Sequence, residues 1–143
     1  MYHKHNLLYV LTLLEIIEKV VIYTDNYQRA SDLLEANDQI NYNATIHLLL
    51  VSGEETKKID DLLKDRFPDI PWKQIVSMRN YLAHDYRGVD PERVFVVVKT
   101  QLQPMKDALL AMLDLIDYET GVLKEALGSP YYQHIQYLRN KFA

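Results

Sequence analysis

The chain has 143 residues, 48% apolar and 25% charged, with a formal net charge of −4 and no cysteine. That composition fits one globular domain with a sizeable core, and it excludes disorder, disulfides and thiolate metal sites. The acidic balance excludes a protein that coats nucleic acid by bulk electrostatics, so a nucleic-acid ligand needs a local basic pocket.

The first predicted helix runs from about His5 to Thr24, with Leu7, Val10, Leu11, Leu14, Ile17 and Val21 on one face. Leu8, Leu13, Ile16 and Val20 widen the stripe beyond one side, which predicts core on one flank and a partner subunit on the other. Glu15, Glu18 and Lys19 are too central for a membrane span, and no small-residue cleavage site follows. A short turn is expected at Ser31 as N-cap, then a second long helix from Asp38 to about Arg66. It carries Ile46, Leu49, Leu50, Gly53, Ile59, Leu62 and Leu63 inward. Mid-helix Gly53 costs about 1 kcal/mol relative to alanine, which close approach of another backbone would justify.

Pro68 and Pro71 break the chain, and Pro71 fits the first position of a third helix with Trp72, Ile75, Met78 and Leu82 facing the core. This helix is expected to end between Asp85 and Arg87, with Gly88 as a left-handed exit. Asp90-Pro91-Glu92 reads as cap, first-turn proline and first-turn acid of a fourth helix. The run from Val94 to Val98 favours a strand by composition. However, Val94, Val97 or Val98, Leu102, Met105, Leu109, Met112 and Ile116 continue a helical period, so the reading is helix. Beyond Gly121 and Gly128 comes a tyrosine-rich tail with a helix start at Ser129-Pro130. The sum is an all-α antiparallel four-helix bundle over residues 1–117, with a helical C-terminal extension, 118–143, packed on the same domain.

Arg79, Asn80, His84 and Tyr86 fall within eight residues at the end of the third helix. Arg79 and His84 point about 140° apart on an ideal helix, so a frayed helix end, the long reach of arginine or a symmetric dimer would have to bring them together. Each residue also has an ordinary structural reading: a solvated arginine and amide, a histidine favoured by the helix dipole, and a packing tyrosine with a wet hydroxyl. Other sites are weaker, since His3, His5, His47 and His134 lack metal-ligand spacing and no glycine-rich phosphate loop occurs.

The segment Arg79-Asn80-Tyr81-Leu82-Ala83-His84-Asp85-Tyr86 matches the R-[polar]-x-x-x-H-x-Y signature of the HEPN superfamily. With "GEE" at 53–55 and "IPW" at 70–72, residues 7 to 116 closely resemble the HepT family of bacterial toxins, apart from Glu55, where alanine is expected. The resemblance implies an all-helical, dimeric, metal-independent ribonuclease without a cofactor, held in check by an MntA-like nucleotidyltransferase antitoxin of a HEPN/MNT pair. It implies a catalytic pair Arg79 and His84, a supporting Asn80, and Tyr86 as the position that the antitoxin modifies with AMP. RNA is the expected substrate, with no DNA and no membrane, in the cytoplasm, and the homodimer can assemble further.

The residue types fit that chemistry. RNA carries its own nucleophile, the 2′-hydroxyl; a histidine can move its proton near neutral pH, and an arginine fork matches phosphate oxygens. Lys73, Arg87 and Arg93 bracket the motif and offer local positive charge. Lys57, Lys58, Lys64 and Arg66, interleaved with acids, read as a solvated face. The alternatives are a non-catalytic helical adaptor that keeps the motif and a purely structural homodimer.

Overall fold

Apolar residues at helical spacing become eight α-helices among residues 1–142, the residues described by this computed structural model. They are α1 (Asn6–Thr24), α2 (Ala30–Glu35), α3 (Ile40–Lys58), α4 (Asp61–Lys64), α5 (Trp72–His84), α6 (Pro91–Thr100), α7 (Leu102–Leu113) and α8 (Thr120–Leu127). The bundle is formed by α1, α3, α5 and the α6–α7 pair; α1 lies between α3 and α7, and α3 between α1 and α5. The start of α1 meets the end of α3 where Asn6 bonds Asp60, and its end meets the start of α3 where Asn41 donates to the Tyr23 carbonyl. Neighbouring helices therefore run antiparallel. Tyr2 bridges the chain at Ile116, tying the N-terminus to the far end of α7.

The predicted second helix is broken. Its helical run stops at Lys58, Ile59 turns extended, and Asn37, Asp38 and Gln39 adopt left-handed backbone before it begins. Ile59 and Leu63 still reach the core across the break, whereas Leu62, expected inside, is 72% exposed on α4. The short α2 begins at Ala30, so Ser31 lies inside it rather than capping it. Pro71 occupies the N-cap of α5, one place before the expected first helical position. Gly88 has an ordinary negative φ; α5 ends because Asp85 turns extended, and its carboxylate then accepts from the Arg87 N–H.

The valine-rich run is helical, capped by the Asp90 carboxylate accepting from the Glu92 N–H, with Pro91 in the first turn. This fourth helix divides at Gln101, where Pro104 withholds one N–H and its ring crowds the carbonyl four residues back. On α1, Val21 is exposed, while Leu13, Ile16 and Val20 are buried by this same chain. The C-terminal segment contributes to that cover: Thr12 meets the Tyr132 hydroxyl at 2.9 Å, Glu15 accepts from the His134 N–H at 2.7 Å, and Ile135 and Leu138 are buried. That part of the second flank is covered within the chain, whereas Leu8, on the same widened stripe, is 52% exposed. No helix is long and apolar enough to cross a membrane among the described residues.

Candidate active site

The site is built where α3 and α5 cross. A Cβ on Gly53 would stand 2.8 Å from the Cβ of Arg79 and 3.2 Å from the Ile75 carbonyl, so only glycine lets α5 lie this close to α3. The crossing point and Arg79 are therefore the same place. On the outer side of the crossing, Glu54 accepts from Arg79 Nε at 3.2 Å, and Arg79 Nη1 donates to Asn80 Oδ1 at 3.3 Å. These two groups hold Nε and Nη1 separately, and Nη2 makes no hydrogen bond to a described residue. The hollow beside them, ≈ 620 Å³, is also lined by Lys57 and Lys58.

His84 is the last residue of α5; it is exposed and makes no side-chain hydrogen bond among the described residues. No bond joins it to Arg79 within one chain. Tyr86 sits in the following 3₁₀ turn, Tyr86–Gly88, 54% exposed as a residue, with its hydroxyl donating to Asn43 Oδ1 on α3 at 2.6 Å. Beneath it, Tyr42 is buried; burial pushes its hydroxyl above the ordinary value, with smaller contributions from Tyr86, Tyr81 and Asp90. The Tyr81 hydroxyl accepts from the Asp90 N–H at 2.7 Å and pins the start of α6 to α5.

The basic residues that bracket the motif do not converge. Lys73 borders a hollow next to Asn80, and Arg87 stands on the exposed turn. Arg93 stacks 4.0 Å over the Tyr81 ring and lines a separate groove of ≈ 570 Å³ with Ile75, Met78 and Val96. Two groups escaped the sequence reading as site residues, Glu54 and Asn43. Glu54 stands in the quoted "GEE", but nothing local announces an ion pair across 25 residues. No group of three residues fit to hold a metal ion occurs among the described residues.

A helical bundle that ends its third long segment on R-[polar]-x-x-x-H-x-Y, with the arginine at the crossing and the histidine at the exposed helix end, is of the HEPN class. The sequence profile described as "Ribonuclease HepT-like" matches residues 13–112, and the chain belongs to that family. A Methanocaldococcus jannaschii protein named as a candidate RNase is 32% identical over 98 residues, spanning 62% of this chain and 89% of its own length. A second protein of that organism, named in the same way, is 32% identical over 94 residues, 66% of this chain and 75% of its own. A Thermococcus cleftensis protein named probable ribonuclease HepT is 36% identical over 63 residues, 44% of this chain and 57% of its own. No solved structure matches the chain significantly.

Proposed function

We propose that the chain is a metal-independent endoribonuclease, the toxin of a HEPN/MNT pair, in which Arg79 and His84 cleave RNA. The observation that carries this reading is the placement of both residues, exposed and on one short segment, inside the stretch that matches a ribonuclease family. His84 takes the 2′-hydroxyl proton, the 2′-oxygen attacks phosphorus, and the bond to the 5′-oxygen breaks, leaving a 2′,3′-cyclic phosphate. The departing oxygen takes up the proton from an imidazolium. Arg79 donates to the phosphorane oxygens as charge builds there, and Asn80 fixes the guanidinium plane.

His84 and Arg79 are unlinked within one chain, so the working cleft is the seam of a homodimer that sets two copies of the segment face to face. An MntA-like nucleotidyltransferase transfers AMP to Tyr86, whose exposed hydroxyl has only Asn43 to release. The bulky anion then obstructs the phosphate path. The cytoplasm is the compartment of both partners.

The test is cleavage of RNA in excess chelator, with the new ends characterised. Cleavage that persists and leaves 2′,3′-cyclic phosphates is expected; loss of cleavage on metal removal overturns the mechanism. After incubation with the cognate nucleotidyltransferase and ATP, intact mass should rise by AMP in the wild type and not in Tyr86→Phe.

A further inference from the structure

From Arg79 a furrow continues between α3 and α5 toward the loop before α5. Its two hollows, ≈ 620 and ≈ 1140 Å³, share Lys57, Val76 and Asn80 in their walls and so lie side by side. Five lysine and arginine side chains line it against three carboxylates, in a chain whose net charge is −4. Three of these cations are engaged: Arg79 with Glu54, Lys58 with Glu55, and Lys64 with the Thr56 carbonyl and Asp61. Lys57 and Lys73 are exposed and form no ion pair among the described residues. At the far end lies Trp72, half-buried, its indole N–H donating to the carbonyls of Lys64 at 3.0 Å and Phe67 at 3.1 Å, which fixes the ring as a platform.

We infer that this furrow is the track by which single-stranded RNA reaches the site, with Lys57 and Lys73 on phosphates beside the scissile one and an unpaired base against Trp72. The inference rests on the RNA reading above and replaces the sequence reading of Lys57 as part of a solvated face. Free cations along a groove and a fixed aromatic at its end are what a sequence-tolerant single-strand site requires. The adjacency to Arg79 and Asn80 favours a chain of phosphates over an acidic protein face, which would have no need to meet the cleavage residues.

The experiment measures binding of a labelled single-stranded oligoribonucleotide by anisotropy across a salt series, with cleavage disabled by His84→Ala. Adding K57A and K73A is expected to weaken binding and to reduce the slope of log affinity against log salt by about 1.4, since each phosphate no longer neutralised lowers it by about 0.7. Trp72 is the sole tryptophan, so quenching of intrinsic emission at saturating RNA reports occupancy of the furrow directly. An unchanged slope, as an acidic protein ligand would leave it, or an emission blind to bound RNA overturns the inference, and so does absence of binding. Furrow-dependent binding by a wild type that cleaves nothing would sink the nuclease reading and leave this one standing.

Discussion

Glu54 accepts from Nε of Arg79, and Nη2 has no partner among the described residues; in the proposed mechanism it is the donor left for a phosphate oxygen. The pair is exposed, so Glu54→Ala should change stability by no more than about 1 kcal/mol. On the proposed mechanism, misplacing Arg79 is far more costly to the reaction: kcat/KM for RNA cleavage is expected to fall between about 10- and 100-fold. Comparing melting temperature with kcat/KM checks this, and an unaltered rate would remove Glu54 from the site. At this scale the sequence was informative where partners are adjacent and silent where they are not. Arg79 and Asn80 are neighbours in the chain, whereas Glu54 and Asn43 come from a different helix and become partners only through the crossing at Gly53.

Gly53 decides where that crossing lies. Gly53→Ala pushes a methyl against the Cβ of Arg79 and the Ile75 carbonyl, neither of them a flexible tip. Overpacking of about 1–3 kcal/mol, against about 1 kcal/mol gained in helix propensity, predicts a net loss of up to about 2 kcal/mol in urea unfolding, with cleavage impaired. Just past the end of α3, Asn6 of α1 is fully buried and donates to the His3 carbonyl and the Asp60 carboxylate, while accepting from the Asp60 N–H. Asn6→Ala strands that N–H and should cost about 1–3 kcal/mol by the same assay. The Asn6 amide, and after it the His5 ring, hold the Asp60 carboxylate below its ordinary value against the opposing effect of burial. A depressed folded value means that this stabilisation is present above the unfolded value of about 4 and is lost as pH falls through the folded one. Asp60→Asn should flatten that part of the acid-stability curve. The order of helices was legible from spacing and from the cap at Asp90, whereas the caps expected at Ser31 and Gly88 do not form. The break at Ile59 was not, because Ile59 and Leu63 stay apolar and buried on both sides of it, so the periodicity hides the discontinuity. Pro104 carries a signal of the division at Gln101 that the apolar period alone passes over.

At the scale of the whole molecule, the C-terminal segment packs on α1 and buries Ile135 and Leu138. The breadth of the α1 stripe by itself points to a partner; the chain helps to cover that flank, with Glu15 buried against His134. Tyr137 lies in the same layer, its hydroxyl pushed up to about 12 by burial and by Glu18 and Glu15. Truncation after residue 117 should therefore uncover α1 at Thr12 and Glu15 and lower the melting temperature sharply, and the full chain should unfold in one transition by circular dichroism and Trp72 emission alike. A truncated chain as stable as the full one would show the extension to be an independent appendage. The bundle, the cleft and the proposed dimer seam all bear on whether one arginine and one histidine carry the chemistry. The most direct measurement is kcat/KM on one RNA, in chelator, for wild type, Arg79→Ala, His84→Ala and the double variant. Losses of about 10²- to 10⁴-fold for each single variant, with little added by the second, are predicted for two groups acting on one step. A single variant that cleaves at close to the wild-type rate would contradict the account.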